Sequence, residues 1–119
     1  MNNKPVIVVG CGLAGLTVAL ELAKKTKVLI LSKNEVSKSA TAWAQGGIVN
    51  VLNEKESIRA HVKDTISAGQ GLVEEKVAEF VAKSGHLAIN WLMQRGVLFS
   101  LNRDKDNSFH LVKEGGHSV

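Results

Sequence analysis

The fold of this chain is decided by the stretch VIVVGCGLAGLTVALELA at residues 6–23. Its first four residues, all β-branched, predict a buried strand, and the small and apolar residues that follow predict a helix. Between them, Gly10, Gly12 and Gly15 have the spacing G-x-G-x-x-G. The first glycine permits a sharp turn, the second leaves room for a diphosphate, and the third lets the helix pack closely on the sheet. A glycine loop in this context predicts dinucleotide binding.

A second apolar run, KVLIL at residues 27–31, predicts a strand parallel to the first. We therefore predict an α/β fold, a Rossmann-like domain with a parallel sheet. NAD-binding folds usually carry Asp or Glu where this strand ends, to hold the ribose hydroxyls. This chain has Ser32 and Lys33 there, which disfavours NAD and favours FAD. The alternative for Lys33 is an ordinary surface lysine.

The rest of the chain is predominantly helical in its pattern. Apolar residues at helical spacing predict helices at 57–68, 74–83 and 87–94, the first capped by Ser57. Short strands are predicted at 48–52, 97–99 and 109–112. The expected apolar faces of the second and third helices comprise Val77, Phe80, Val81, Leu87, Trp91 and Leu92. On the first of the three helices, we interpret His61 as a core histidine.

Composition restricts the class of protein. The 119 residues suffice for one small domain with a core, and the net charge of +4 arises in residues 1–59. Scattered basic residues and few aromatic ones give no sign of nucleic-acid binding. The apolar stretch at 5–20 is short for a membrane span and is interrupted by glycines, so we expect a cytoplasmic protein without a membrane anchor.

Cysteine and histidine offer little reactive chemistry in this sequence. Cys11 is the one cysteine, so no internal disulfide forms; we interpret it as an inert small residue, the alternative being a reactive thiol at a helix start. His110 and His117 lack a cysteine or second carboxylate at ligand spacing, so we expect no metal site.

Three segments in order resemble one flavoprotein family. They are the glycine loop at 10–15, ATAWAQGG at 40–47 and HLVKEGGHS at 110–118. Together they resemble the N-terminal part of L-aspartate oxidase, from the flavoprotein group of succinate dehydrogenase and fumarate reductase. The resemblance runs from about residue 5 to the end and includes VLILSK at 28–33, HVKDT at 61–65 and WLMQRGV at 91–97. Serine and lysine after the second strand are usual in this oxidase.

The resemblance implies a reaction and a cofactor. L-Aspartate would be oxidised to iminoaspartate with FAD, and oxygen or fumarate would reoxidise the flavin. Quinolinate synthase would consume the iminoaspartate on the bacterial route to NAD. Ala40 stands where succinate dehydrogenase flavoproteins have the histidine that carries FAD, which excludes covalent attachment by that route. Aspartate oxidases often have serine there, so Ala40 loses one hydrogen bond, worth about 1 kcal/mol.

The resemblance also implies which residues form the site. The glycine loop and Lys33 would bind the ADP half of FAD, and residues 40–47 would wrap the flavin side. The implied cofactor-binding residues are Gly10, Cys11, Gly12, Leu13, Ala14, Gly15, Ser32, Lys33, Ala40, Thr41, Ala42, Trp43, Ala44, Gln45, Gly46 and Gly47. Glu114 would contact the substrate ammonium, the alternative being a solvated loop glutamate. For Gly46 and Gly47 the alternative is an ordinary turn.

The chain stops at Val119, just after a Gly-Gly-His sequence and without a closing element. We expect residues 1–119 to be the N-terminal part of a FAD-binding domain, with the capping and C-terminal domains absent. Alone, it would bind FAD poorly and be inactive. The alternatives are a soluble fumarate reductase-like or 3-ketosteroid dehydrogenase-like flavoprotein, which is not expected to carry EGGHS, and a non-catalytic dinucleotide-binding module.

Overall fold

The computed structural model describes residues 4–44, 47–51, 55–102, 108–112 and 118. Two strands and three helices follow in the order β1 (Val6–Val9), α1 (Leu13–Ala23), β2 (Val28–Leu31), α2 (Lys55–Ala68) and α3 (Glu75–Met93). Two 3₁₀ turns, Val36–Lys38 and Ala40–Trp43, lie between β2 and α2. The chain divides into two compact units, Met1–Gly47 and Ile48–Val119, which are described separately below.

The first unit is built on a parallel pair of strands. Val6 lies opposite Val28 and Val9 opposite Leu31, and α1 packs against both strands. The predicted strand–helix–strand unit is therefore confirmed, with the helix ending at Ala23. The apolar run that predicted each strand also determines its pairing, because a parallel sheet buries both of its faces and favours Val, Ile and Leu throughout.

Apolar side chains of this sheet are still accessible. Ile7 is 56% exposed and Val9 82%, and Leu29 and Leu31 are each 47% exposed. In doubly wound folds, further strands and helices cover such positions. The first unit thus presents the kind of surface that these folds normally bury.

The second unit is a pair of helices, α2 and α3, packed on each other. Val62 of α2 and Ala82, Ile89 and Leu92 of α3 are buried. Of the predicted apolar faces, Leu92 is buried and Trp91 half-buried, whereas the other four residues are exposed: Val77, Phe80, Val81 and Leu87. The stripe of buried residues on these helices is thus narrower than the apolar face that the sequence predicted.

Helix α3 differs from its prediction. The two helices expected at 74–83 and 87–94 are one continuous helix, Glu75–Met93, which runs through Gly85. A Cβ at Gly85 would meet Asn50 Oδ1, so this glycine makes room for a packed side chain and does not interrupt the helix. Asn50 Oδ1 is buried and has no hydrogen-bond partner in the described part of the chain.

Smaller differences concern element ends and short strands. Helix α2 begins at Lys55, so Ser57 lies inside the helix and does not cap it. His61 is half-buried, not a core residue. Of the strand predicted at 48–52, residues 48–51 form no strand and Leu52 lies outside the described residues. Residues 97–99 form no strand either, and the predicted strand at 109–112 is reduced to one antiparallel bridge, between Leu101 and Phe109. Within the described ranges, no helix combines the length and the apolar character that crossing a bilayer requires.

The end of α3 is closed by a Schellman motif. Val97 N donates to Leu92 O at 3.2 Å and Gly96 N donates to Met93 O at 3.0 Å. Gly96 has a φ of +85°, a conformation that side-chain-bearing residues rarely adopt.

We expect Gly96→Ala to lower the free energy of unfolding by about 1 kcal/mol, because alanine is strained in the left-handed region. Urea denaturation followed by circular dichroism measures this change. Gln94→Ala, at the exposed C-cap of the same helix, is the matched control and should change stability by less than about 0.5 kcal/mol. Equal stability of Gly96→Ala and the unmodified protein would contradict the expectation.

Candidate cofactor site

The first glycine of the loop makes the turn away from β1. Gly10 has a φ of +102°, and its N–H donates to Leu31 O at 2.8 Å. This bond continues the pairing with β2 by one residue, and the backbone then leaves the sheet toward α1. Since L-residues with a side chain are strained at such a φ, the turn requires glycine at this position.

The third glycine brings the helix against the strand end. A Cβ on Gly15 would overlap the carbonyl oxygen of Gly10 and lie 3.6 Å from Val8 Cγ1. The obstacle is backbone, which cannot rotate away as a side chain can. The first turn of α1 therefore approaches the end of β1 only because residue 15 has no side chain.

The second glycine has a different role. Gly12 is the N-cap of α1 and has ordinary extended angles, φ −71° and ψ 178°. If a Cβ were added to Gly12, the nearest atom would be Thr41 Oγ1, at 3.4 Å. The protein's own packing and backbone thus tolerate a methyl group at this position. The missing side chain at Gly12 fits the expectation that a ligand approaches the backbone here.

The N-terminus of α1 offers donors to an anion. Leu13 N donates to Thr41 Oγ1 at 3.0 Å. Within the part of the chain that the structure describes, the N–H groups of Ala14 and Gly15 donate to no acceptor. No acidic residue lies in the first turn. These donors and the positive end of the helix dipole together suit a phosphate group.

Thr41 reaches α1 from the second 3₁₀ turn, Ala40–Trp43. Ser39 caps this turn, because its Oγ accepts a hydrogen bond from Ala42 N at 3.3 Å. The Thr41 hydroxyl thereby joins the ATAWAQGG segment to the glycine loop, 28 residues earlier. Trp43 is 74% exposed. Ala40, Ala42, Ala44 and Gly47 are also exposed, and Gln45 and Gly46 lie outside the described residues.

A polar contact joins the carboxyl ends of the two strands. Cys11 Sγ lies 2.8 Å from Ser32 Oγ, and Ser32 Oγ donates to Asn34 O at 2.6 Å. Cys11 is only 5% exposed, whereas Ser32 and Lys33 are exposed. Sequence reasoning predicted Ser32 and Lys33 near a ligand but missed the contact with Cys11. The only feature of the sequence that could have indicated this contact was that Cys11 and Ser32 each closely follow one of the two parallel strands.

The EGGHS segment is described only at Ser118; Glu114 and His117 lie outside the described residues. Ser118 donates to Asp64 Oδ2 through its backbone N at 2.7 Å and its hydroxyl at 2.8 Å. This aspartate belongs to the HVKDT segment, so two of the segments that carry the family resemblance meet in the second unit. His110 Nδ1 lies 3.0 Å from Asn102 Oδ1, next to the antiparallel bridge between Leu101 and Phe109.

Other features of the second unit contribute no residue predicted to bind the cofactor. A shallow groove on α2 and α3 is lined by Ile58, Arg59, Val62, Lys63, Ile66, Glu75 and Glu79. Lys83 donates a hydrogen bond to Glu79, which lowers the pKa of that exposed carboxyl. Among the described residues, no three His, Cys, Asp or Glu side chains come together as a metal site.

A parallel strand–helix–strand unit with a G-x-G-x-x-G turn and unpaired helix N–H groups defines a dinucleotide-binding domain. Comparison with known families makes this more specific. Residues 5–119 match the family described as FAD binding domain, and the chain belongs to this family. FAD is accordingly the cofactor of this family, and the glycine loop, the N–H donors at the start of α1 and the residues after the two strands fit it.

Curated relatives include several L-aspartate oxidases. The chain is 45% identical over 116 residues to L-aspartate oxidase of Vibrio cholerae, and 46% identical over 115 residues to L-aspartate oxidase 1 of Ralstonia nicotianae. These matches cover 95% and 97% of this chain and 22% of each relative. The chloroplastic L-aspartate oxidase of Arabidopsis thaliana is 40% identical. The chain thus spans about a fifth of the length of these relatives.

Solved structures of the same flavoprotein group share the fold. Sdh1 of Mycobacterium smegmatis, in complex with UQ1, matches with a TM-score of 0.85 and 28% identity, over 97% of this chain and 20% of that one. Quinol fumarate reductase FrdA of E. coli, with the E245Q mutation, matches with a TM-score of 0.85 and 27% identity over the same shares. The expected FAD-binding fold is confirmed.

We expect Gly15→Ala to lower the free energy of unfolding by about 1–3 kcal/mol, because its Cβ overlaps the Gly10 carbonyl and forces α1 away from β1. Gly47→Ala is the control, since a Cβ there meets nothing within 4 Å. Urea denaturation of both variants gives the comparison. Two variants of equal stability would show that α1 does not depend on this close approach.

We expect Thr41→Val to release Leu13 N–H and to lower stability by about 1 kcal/mol, whereas Thr41→Ser keeps the acceptor and the stability. Amide hydrogen exchange measured by NMR reports the bond directly: exchange at Leu13 should accelerate in the valine variant alone. Unchanged exchange at Leu13 in Thr41→Val would rule out the hydroxyl as its acceptor.

Proposed function

We propose that this chain is the cofactor-binding, N-terminal part of a FAD-dependent L-aspartate oxidase, which converts L-aspartate to iminoaspartate. The observation that carries the proposal is the match of about 95% of the chain to curated L-aspartate oxidases, at 44–46% identity for the first three. The capping and C-terminal domains of the enzyme would be supplied by segments beyond residues 1–119.

The ADP half of FAD would lie on the first unit. The N–H groups of Ala14 and Gly15 would donate to the diphosphate, and Gly12 would let the phosphate approach the backbone. Ser32 would bind a ribose hydroxyl and Lys33 would supply a cation nearby. This assignment is supported by the exposure of both residues and by the unpaired donors at the start of α1.

The flavin half would lie along residues 40–47. Thr41 would hold this segment against the glycine loop through its bond to Leu13 N. Gln45 and the backbone N–H groups of Gly46 and Gly47 would contact the isoalloxazine ring, since glycine lets a backbone approach a flat ring closely. The remaining proposed contacts are Gly10, Cys11, Ala40, Ala42, Trp43 and Ala44. With alanine at position 40, the flavin would be held without a covalent bond.

When bound, FAD supplies a two-electron acceptor for oxidation at the substrate Cα. The substrate would be selected by Glu114, whose carboxylate pairs with the ammonium of L-aspartate and repels a misplaced carboxylate. Asp64 would orient the segment that contains Glu114 by binding Ser118. Oxygen or fumarate would reoxidise the flavin, and quinolinate synthase would use the iminoaspartate for NAD biosynthesis in the cytoplasm.

A fumarate reductase-like flavoprotein is the second candidate, because Sdh1 and FrdA are among the solved structures that share this fold. Their identity to this chain is 27–28%, against 45% for the Vibrio cholerae oxidase. The higher identity and the EGGHS segment favour the oxidase. A non-catalytic dinucleotide-binding module is the third candidate.

The experiment uses the gene product that contains these 119 residues, purified with its bound flavin. We expect L-aspartate to bleach the flavin absorbance and to generate peroxide in air, whereas succinate does neither. Glu114→Gln should raise KM for L-aspartate roughly tenfold, because a charge-assisted hydrogen bond is lost. The 119-residue chain alone should produce no peroxide.

Two results would contradict the oxidase assignment, and a third would contradict only the role of Glu114. Bleaching by succinate but not by L-aspartate would indicate the fumarate reductase-like activity. A purified protein that binds nucleotide without reacting with either substrate would indicate the binding module. An unchanged KM in Glu114→Gln would remove this residue from the substrate site without affecting the oxidase assignment.

A further inference from the structure

The glycine in the interior of α3 receives a side chain from a distant part of the chain. A Cβ added to Gly85 would overlap Asn50 Oδ1 and would lie 3.4 Å from Asn50 Cγ. Asn50 thus occupies the space that a side chain at position 85 would need. Glycine destabilises a helix interior relative to alanine, so α3 keeps a weak helix former at the position where Asn50 packs.

The oxygen of the Asn50 side chain gains no hydrogen bond from this contact. Asn50 Oδ1 is buried and has no donor among the residues that the structure describes. An acceptor buried without a donor is unfavourable, and an apolar side chain at position 50 would avoid it. Two unfavourable features, a helical glycine and an unpaired oxygen, therefore meet in one contact. Local rules of stability are broken in this way mostly where a protein binds or reacts.

Asn50 closely follows the glycine pair at residues 46–47 in the sequence. Gly47, Ile48 and Val49 are exposed, whereas Asn50 and Val51 are half-buried. Within residues 47–51, the chain is therefore first packed at Asn50. Three residue steps of backbone span at most about 11 Å, so an anchor at Asn50 restricts the freedom of the preceding glycines.

We propose that Asn50 and Gly85 are positioning residues: their contact anchors the chain just after Gly46 and Gly47 and holds the backbone N–H groups of this pair for the isoalloxazine ring. The inference rests on the proposed binding of the flavin along residues 40–47. Glycine lets a backbone approach a flat ring, but its freedom makes the position of that backbone depend on a neighbouring anchor. Asn50 acts through this backbone, since its own side-chain oxygen is buried.

The test uses the gene product that contains these residues. The variants are Gly85→Ala, which fills the space that Asn50 occupies, Asn50→Ala, which removes the anchor, and the double variant with both changes. Asn90→Ala, at an exposed position of the same helix, is the matched control. Three quantities are measured: Kd for FAD in the flavin-free protein, the midpoint potential of the bound flavin, and the urea midpoint of unfolding.

We expect each single variant to weaken FAD binding roughly five- to tenfold, the effect of about one hydrogen bond lost at the ring. Each should also lower the midpoint potential of the flavin, because N–H donors stabilise the electron-rich reduced ring more than the oxidised one. In the double variant, the methyl group added at position 85 takes space that the shortened side chain leaves, so binding should return to within about threefold of the unmodified protein. A contact with a purely structural role would change the urea midpoint and leave the flavin potential unaltered.

Three outcomes would overturn the inference: an unaltered flavin potential in Asn50→Ala, additive losses in the double variant, and losses of the same size in Asn90→Ala. Asn50→Ala decides the question even if Gly85→Ala does not fold, because it removes an unpaired acceptor and introduces no overlap. The proposed function fails separately, by an absence of FAD binding in the unmodified protein. Normal FAD binding there, together with any of the three outcomes, removes only the role of Asn50 and Gly85.

Discussion

The approach of α1 to the end of β1 is the constraint on which the candidate site depends. It brings residue 15 so close to the Gly10 carbonyl that only glycine fits. This contact directs the first turn of the helix, and with it the N–H groups of Ala14 and Gly15, to the carboxyl edge of the sheet. An anion-binding site needs donors that are held in place before the ligand arrives, and a backbone-to-backbone contact holds them more rigidly than side-chain packing does.

Two hydrogen bonds extend this rigid centre to more distant parts of the first unit. Thr41 accepts from Leu13 N and so holds the segment proposed to face the flavin. Cys11 and Ser32 connect the residues that follow the two strands. Each bond contributes only about 1 kcal/mol, so their importance is geometric: they define which polar atoms remain available to a ligand.

Local features of this fold follow from the sequence pattern, whereas contacts between distant residues do not. The strand–helix–strand unit was predictable because strand and helix differ in hydrophobic period, and the glycine spacing reports contacts within six residues. Helix α3 was not predictable as one continuous helix, because glycine usually interrupts a helix. The side chain that packs against Gly85 belongs to Asn50, which is distant in sequence. Four apolar residues that were predicted to face a core are exposed: Val77, Phe80, Val81 and Leu87. A hydrophobic pattern shows which face of a helix is apolar but does not identify the surface that covers this face.

By itself, the sequence determined the type of domain, the glycine turn between β1 and α1, and the residues that follow β2. These features depend on backbone conformations and on spacing along one segment of the chain. The tertiary structure decided that Thr41 meets Leu13 and that the thiol of Cys11 meets the hydroxyl of Ser32. The physical reason is that both contacts join residues 21 or more positions apart, and only the pairing of the strands and the course of the chain after β2 bring such atoms within hydrogen-bonding distance.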